Sequence, residues 1–417
     1  MTSGENKPLE RKPPQAEPRA QGRLETGFAW SFTGNAVNGL SQWGVLSLIA
    51  KLSNAEVLGQ YALAIAVATP VAMLAHLNLR SVIATDVRER NPFADYLAVR
   101  RWAGFSGIAV TTLIGLFWSQ WNPVGIAIVL AGASLGAENF QDLYHGVMQR
   151  NERMDLIAKS MILRSILSVS IAAAFLLWSQ NAIAAVGGLL AGRLLTLLLF
   201  DRRTAQAPRD LRQAPGAVFR SALPLGLALM LVALTATLPR YVIELRLGDA
   251  LLGIFVVISS FVTLGSVVMN ALGQSAMTRL ARAFTSGDHI QFRHLTLQLI
   301  GLAVGLGLIG ALIAATAGDF FLGLIYRPEF REYKWLLMRM LLAATLGYVA
   351  AILGYIVTSM RQFDQQLPLL MAVAATSGLV CLWTMPQMGL DGAVVALASA
   401  ATVQIAGNLF ILRKARQ

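Results

Sequence analysis

The chain has 417 residues, of which 56% are hydrophobic and only 13% charged; a soluble protein of this length carries about a quarter charged residues, so a soluble globular class is excluded. Its formal net charge is +12, but the basic residues alternate with long apolar runs instead of forming a patch, which excludes nucleic acid as the partner. One cysteine, Cys381, excludes an internal disulfide.

Residues 1–24 are polar, basic and rich in proline (Pro8, Pro13, Pro14, Pro18), the composition of a disordered tail. Beyond them, apolar runs recur at 27–49, 58–79, 102–119, 124–147, 157–179, 182–200, 221–239, 250–272, 295–317, 335–358, 367–386 and 391–412. A hydrocarbon core of about 30 Å takes about 20 apolar residues of helix. These are therefore twelve predicted membrane spans, numbered 1 to 12, with boundaries good to about three residues. The first run is too long for a signal peptide and has no small-residue cleavage site after it, so it stays as span 1. No connection between spans is long enough for a folded catalytic domain. The predicted fold class is all-α: a polytopic membrane protein of about 12 transmembrane helices in two six-helix lobes around a central cavity.

With the N-terminus inside, 25 Lys/Arg fall on the cytoplasmic side and six on the other: Lys51, Arg240, Arg246, Arg327, Arg331 and Lys334. Three lie within spans: Arg164, Arg193 and Arg339. That bias is the positive-inside rule, and it puts both termini in the cytoplasm. The most basic central segment, 201–220, divides the chain into an N-terminal lobe (25–200) and a C-terminal lobe (221–413), with 201–220 as cytoplasmic linker. Leu58-Gly59-Gln60-Tyr61 at the start of span 2 is matched by Leu252-Gly253-Ile254-Phe255 at the start of span 8. Glu152-Arg153-Met154-Asp155 after span 4 is matched by Arg361-Gln362-Phe363-Asp364 after span 10. Two halves of the same sense are parallel repeats about an axis along the membrane normal. Gly and Ala spread through the spans indicate close helix packing, and Pro70 and Pro224 predict kinks.

Two spans carry polar stripes. Span 1 has Ser31, Asn35, Asn38 and Gln42, and span 4 has Glu138, Asp142, His145 and Gln149. Both sets have offsets of 0, 4, 7 and 11 and so occupy one narrow helix face each. Lipid cannot satisfy such a face. A charge at the bilayer centre costs about 2.5–3.5 kcal/mol on insertion scales, which favours a wet cavity; a dry seam between helices is the alternative. Glu138 lies about 21 Å from the outer end of span 4 at 1.5 Å per residue, within the hydrocarbon. Arg193 sits in the apolar run Leu189–Leu195, Arg164 at a similar depth in span 5, and Arg80 at the inner end of span 2. Each either snorkels to the interface, pairs with Glu138 or Asp142, or binds an anion through its fork of donors. Glu138 and Asp142, one turn apart, form a candidate ion-coupling pair. His76, alone in span 2, is assigned to packing. No metal cluster, nucleophile–base pair or phosphate-cradling loop occurs, so neither enzyme activity nor a cofactor is expected.

Two stretches carry a family resemblance. One runs from Leu58-Gly59-Gln60-Tyr61 through Pro70 to Leu79-Arg80-Ser81-Val82-Ile83-Ala84-Thr85-Asp86; the other from Glu138 through Asp142, Gly146 and Gln149-Arg150-Asn151-Glu152-Arg153-Met154-Asp155 to Ser160 and Arg164. They resemble polysaccharide biosynthesis proteins of the O-antigen flippase type. These share a superfamily with exporters of the multidrug-and-toxin-extrusion type and with the peptidoglycan lipid II flippase. Leu324-Ile325-Tyr326-Arg327-Pro328-Glu329-Phe330 fits as well, with Arg327 where the family often has Gly. The resemblance implies two lobes facing a V-shaped cavity and alternating access. It also implies transfer of a polyprenyl-pyrophosphate-linked oligosaccharide across a bacterial inner membrane, with membrane lipids and polysaccharide assembly machinery as further partners. The candidate headgroup and cavity residues are then Arg193, Arg164, Arg80, Asn35, Asn38 and Gln42. An exporter of cationic small molecules and a membrane-embedded glycan polymerase or ligase are the alternatives. The absence of an acid in span 1 counts against the first, and the short outer loops against the second.

Overall fold

The computed structural model describes residues 18–85, 91–119, 123–208, 214–360 and 363–414. Among them are twelve long helices, one for each predicted span: α1 (Pro18–Leu52), α2 (Ala55–His76), α3 (Phe93–Ser119), α4 (Pro123–Arg150), α5 (Met154–Trp178), α6 (Ala182–Thr196), α7 (Pro215–Leu247), α8 (Asp249–Thr285), α9 (His289–Ile325), α10 (Lys334–Ser359), α11 (Phe363–Met388) and α12 (Leu390–Lys414). Ten of these segments are long and apolar enough to cross a membrane. The other two are α1, which bears a polar stripe, and α3, whose first turns hold Arg100 and Arg101. The chain is a multi-pass membrane protein.

Local chemistry sets several boundaries. Asn54 Oδ1 accepts from Val57 N at the start of α2, and Asn181 Oδ1 from Ala184 N at the start of α6, each satisfying an orphan donor of the first turn. Gly248, at φ 86°, makes the reversal between α7 and α8, a backbone region closed to most side chains. Pro70 lies inside α2, and Pro224 and Pro239 inside α7. α8 and α9 have 37 residues each, about 55 Å of helix. They reach well past a hydrocarbon core at the end that bears Arg279, Arg282 and Arg293.

Three boundaries differ from expectation. α1 begins at Pro18, inside the predicted tail of 1–24; residues 1–17 of that tail lie outside the described residues. So do Asp86, Arg361 and Gln362 of the matched stretches, and 209–213 of the linker. α7 continues to Leu247, so Arg240 belongs to a helix and not to a loop. The linker's first residue, Asp201, ends a π-helical turn (Leu197–Asp201) and is fully buried, because it has partners on α4.

The packing defines two lobes whose shared apolar core lies toward one end. One apolar cluster takes residues from both halves: Ile49, Leu58, Leu63 and Ile128 from the first, Leu252, Phe255, Val257, Tyr326 and Phe330 from the second. All lie toward the end where α2 and α8 begin. Toward the other end the core separates. One cluster holds Leu77, Ile83, Tyr96, Leu143 and Met148 with Val218 and Ala222 of α7; another holds Met269, Leu280, Phe292, Tyr348, Ile352 and Ile356 of the second lobe alone. The joint is a symmetric helix crossing. A Cβ on Gly59 would run into the Asp249 carbonyl, and a Cβ on Gly253 into the Ala55 carbonyl, so backbone meets backbone, as small residues allow. Tyr326 Oη and Ser260 Oγ, 2.8 Å apart, hydrogen-bond beside it. On α8 the face that is buried at Gly253, Val257 and Ser260 is bare at Leu264, Val267 and Val268. α8 therefore leaves the first lobe beyond Ser260, while α7 stays against α2 as far as Gly226, where a Cβ would meet the Leu74 carbonyl.

Candidate functional site

α4 organises the polar interior of the first lobe. One side of it meets α5 and α6, the other α2 and the short helix Leu79–Thr85. On the first side, Glu138 holds two guanidiniums at once: Oε1 is 3.1 Å from Arg164 of α5 and Oε2 is 2.9 Å from Arg193 of α6. Each arginine is also held from behind. Arg193 donates to Ser134 Oγ at 2.7 Å. Arg164 donates to Asn38 Oδ1 of α1 at 2.7 Å and to Gln141 Oε1 at 3.4 Å. Gln141 Nε2 in turn reaches Asp201 Oδ2 at 3.0 Å, and Asp201 Oδ1 lies 3.5 Å from His145 Nε2, which also bonds Ser160 Oγ at 2.8 Å. The π-helical turn makes this possible, since its extra residue turns Asp201 inward.

On the second side, Asp142 accepts from Arg80 at 3.1 Å and from His76 Nε2 at 2.9 Å. Arg80 Nε also donates to Gln149 Oε1 at 2.9 Å. His76 Nδ1 accepts from Asn78 N, which leaves Nε2 as the donor toward Asp142. Arg100, fully buried, donates to the carbonyls of Ala75 and His76, where the last carbonyls of α2 lack helical partners.

Between α1, α2, α5 and α6 lies a cavity of about 50 Å³, lined among others by Asn38, Gln42, Tyr61, Arg164, Ser168 and Arg193. Ser168 Oγ is buried there without a hydrogen-bond partner. Two arginines against one carboxylate leave the cavity wall with an excess of one positive charge and many donors.

Of the sequence candidates, Arg193, Arg164, Asn38 and Gln42 come together at this cavity, with Glu138 bridging the two arginines. Arg80 and Asp142 form a neighbouring pair on the other side of α4. Asn35 is exposed on α1 and donates to Ser31 O of its own helix at 2.8 Å, away from the cluster. Glu138 and Asp142, although one turn apart, serve different cations. His76, assigned to packing, is in fact a partner of Asp142, and Asp201, assigned to the linker, is part of the network. A carboxylate at the head of a basic segment is the one signal for Asp201. Tyr61 figures in the sequence only as part of a repeat, yet it lines the cavity within electrostatic range of Arg193 and Glu138, and of Arg240 from the second lobe.

Solved membrane transporters share this architecture. An inward-facing multidrug-resistance transporter of the MATE family, in the MOP superfamily, superposes with a TM-score of 0.73 at 13% identity, covering 93% of this chain and 98% of that one. An outward-facing structure of such a transporter gives 0.60 at 16% identity, over 94% and 95%. The lipid II flippase MurJ, inward closed, gives 0.64 at 12% identity, over 93% and 87%. The fold is that of MATE and MurJ transporters. In sequence, the chain is similar to the capsular polysaccharide biosynthesis protein CapF of Staphylococcus aureus, with 23% identity over 321 residues, 75% of this chain and 79% of that protein. No protein-family profile matches the chain.

Proposed function

We propose that this protein flips a polyprenyl-pyrophosphate-linked oligosaccharide from the cytoplasmic to the outer leaflet of a bacterial inner membrane, for surface polysaccharide assembly. The observation that carries this reading is the donor-rich, net-cationic cavity between α1, α2, α5 and α6, with Arg164 and Arg193 in its wall. A pyrophosphate needs charge-assisted donors, and sugars need a hydrated path. The polyprenyl tail can stay in lipid beside the lobes. The excess of Lys/Arg on one side turns the end of the lobes away from the Gly59/Gly253 crossing toward the cytoplasm, the side on which a lipid-linked precursor would load. Alternating access then rocks the lobes about the Gly59/Gly253 crossing. The names of CapF and MurJ agree with a glycan-carrying cargo, and assembly enzymes would take the product on the outer side.

The MATE fold favours one other reading, an exporter of cationic small molecules. The arginines of the cavity oppose it. A deletion strain separates the two. Flipping predicts loss of surface polysaccharide, accumulation of the lipid-linked precursor in the inner leaflet and unchanged drug tolerance. Normal surface polysaccharide with lowered drug tolerance would replace the proposal by the exporter.

A further inference from the structure

The pocket's two arginines are already occupied, and by a group that an incoming anion can reach. Glu138 meets Arg164 at 3.1 Å and Arg193 at 2.9 Å, one oxygen to each guanidinium, the spacing that two oxygens of a tetrahedral oxyanion would also offer. The carboxylate is the accessible member of the trio: its side chain is 27% exposed, against 9% for Arg164 and 12% for Arg193. The arginines are anchored by groups that do not depend on it. Ser134 holds Arg193, while Asn38 and Gln141 hold Arg164. The rest of the pocket wall offers hydroxyls and amides from Ser41, Ser165, Tyr61 and Gln42, together with Ser168 Oγ, which is 6% exposed and has no partner. The other charged groups in range of Glu138 are Asp142 on its own helix and His76 on α2, which already hold each other.

We propose that Glu138 is a resident counter-ion. In the empty carrier it occupies the Arg164–Arg193 pair, and a tetrahedral oxyanion of the phosphoryl class takes the pair from it, with Ser168 as an added donor. This rests on reading the cavity as a headgroup site, and it adds what sets the grip of that site. Two buried guanidiniums with no anion would be costly, and two guanidiniums with no competitor would hold a headgroup too tightly to release it. Glu138 serves both needs. It lowers affinity for the anion and keeps the empty site stable enough to return.

The test uses the purified full-length protein in nanodiscs, in gluconate buffer at fixed pH, with sodium sulfate as the probe and sodium gluconate as the ionic-strength control. Glu138→Gln should melt below wild type without sulfate and regain that loss as sulfate is added. Its apparent sulfate affinity should be at least ten-fold tighter than that of wild type. Glu138→Asp, with a shorter reach, should bind sulfate a few-fold tighter and covers the case in which Glu138→Gln does not fold. Adding Arg193→Gln to either variant should abolish the sulfate response. Sulfate affinity unchanged or weakened in the variants, or a response that survives Arg193→Gln, would overturn the proposal. Surface polysaccharide in cells reads the flipping function separately: sulfate exchange with no glycan export would count against the cargo and not against the counter-ion.

Discussion

The two lobes share a backbone plan and differ in charge. α5 begins at Met154 and α11 at Phe363, 209 positions later. At that offset Ser134, Glu138, Gln141, Asp142 and His145 of α4 face Ala343, Gly347, Ala350, Ala351 and Gly354 of α10, and Arg164 and Arg193 become Val373 and Thr402. Gly59 and Gly253 set the offset for the first helices of each half at 194; there His76 and Arg80 become Asn270 and Gln274, and the polar Asn35, Asn38 and Gln42 become Leu229, Val232 and Ala236. The second lobe packs the same six helices with almost none of the first lobe's buried ions. Ion pairs in a low-dielectric interior seldom repay their desolvation. The fold therefore does not need this network, and we propose that the first lobe carries it for the cavity's chemistry.

If that contrast is right, the largest effect belongs to Arg164. Arg164→Ala breaks contacts to Glu138, Gln141 and Asn38 on two helices and should cost about 3–5 kcal/mol, as broken buried pairs do, with loss of export. Its counterpart Val373→Ala should cost about 1–2 kcal/mol as a plain cavity. Thermal unfolding of both in nanodiscs checks this; equal costs would mean that the charged lobe is no different from the neutral one. The lobes should behave alike only where they are alike, at the crossing. Gly59→Leu and Gly253→Leu should each wedge the joint apart and raise, several-fold and by similar factors, labelling of a cysteine placed at Ser260 from the side where α2 and α8 begin. A response from one and not the other would deny the symmetry of the contact. Asp142→Asn should be milder, about 1–2 kcal/mol, because Arg80 remains in reach of Gln149 and is one-third exposed. A drop as large as that of Arg164→Ala would make the Asp142 pair, and not the Glu138 trio, the centre of the network.

Much of this is legible in the chain. Every predicted span holds one long helix, because twenty apolar residues in lipid have few other ways to satisfy their backbone. The polar stripe of α4 and the depth of Arg193 and Arg164 point to a polar interior in the first lobe, where the structure places one. What one sequence does not supply is the pairing. Offsets along a helix fix a face, not the neighbour it meets, so nothing distinguishes Glu138 bridging two arginines from Glu138 and Asp142 acting as a pair. His76 finds Asp142 across 66 positions. Asp201 is turned inward by a single extra residue in a helix, for which hydropathy has no signal. Asn35 sits on the predicted face but one turn short of the cavity, so its amide bonds its own helix.

The central claim is that Arg193 meets the headgroup from a water-filled hollow. Arg193→Gln, produced in a strain whose surface polysaccharide depends on this protein, tests it most directly, with membrane levels of the variant and inner-leaflet lipid-linked oligosaccharide measured together. The account predicts normal insertion, loss of at least nine-tenths of the surface polysaccharide and build-up of the precursor. Wild-type polysaccharide at normal protein levels would contradict it.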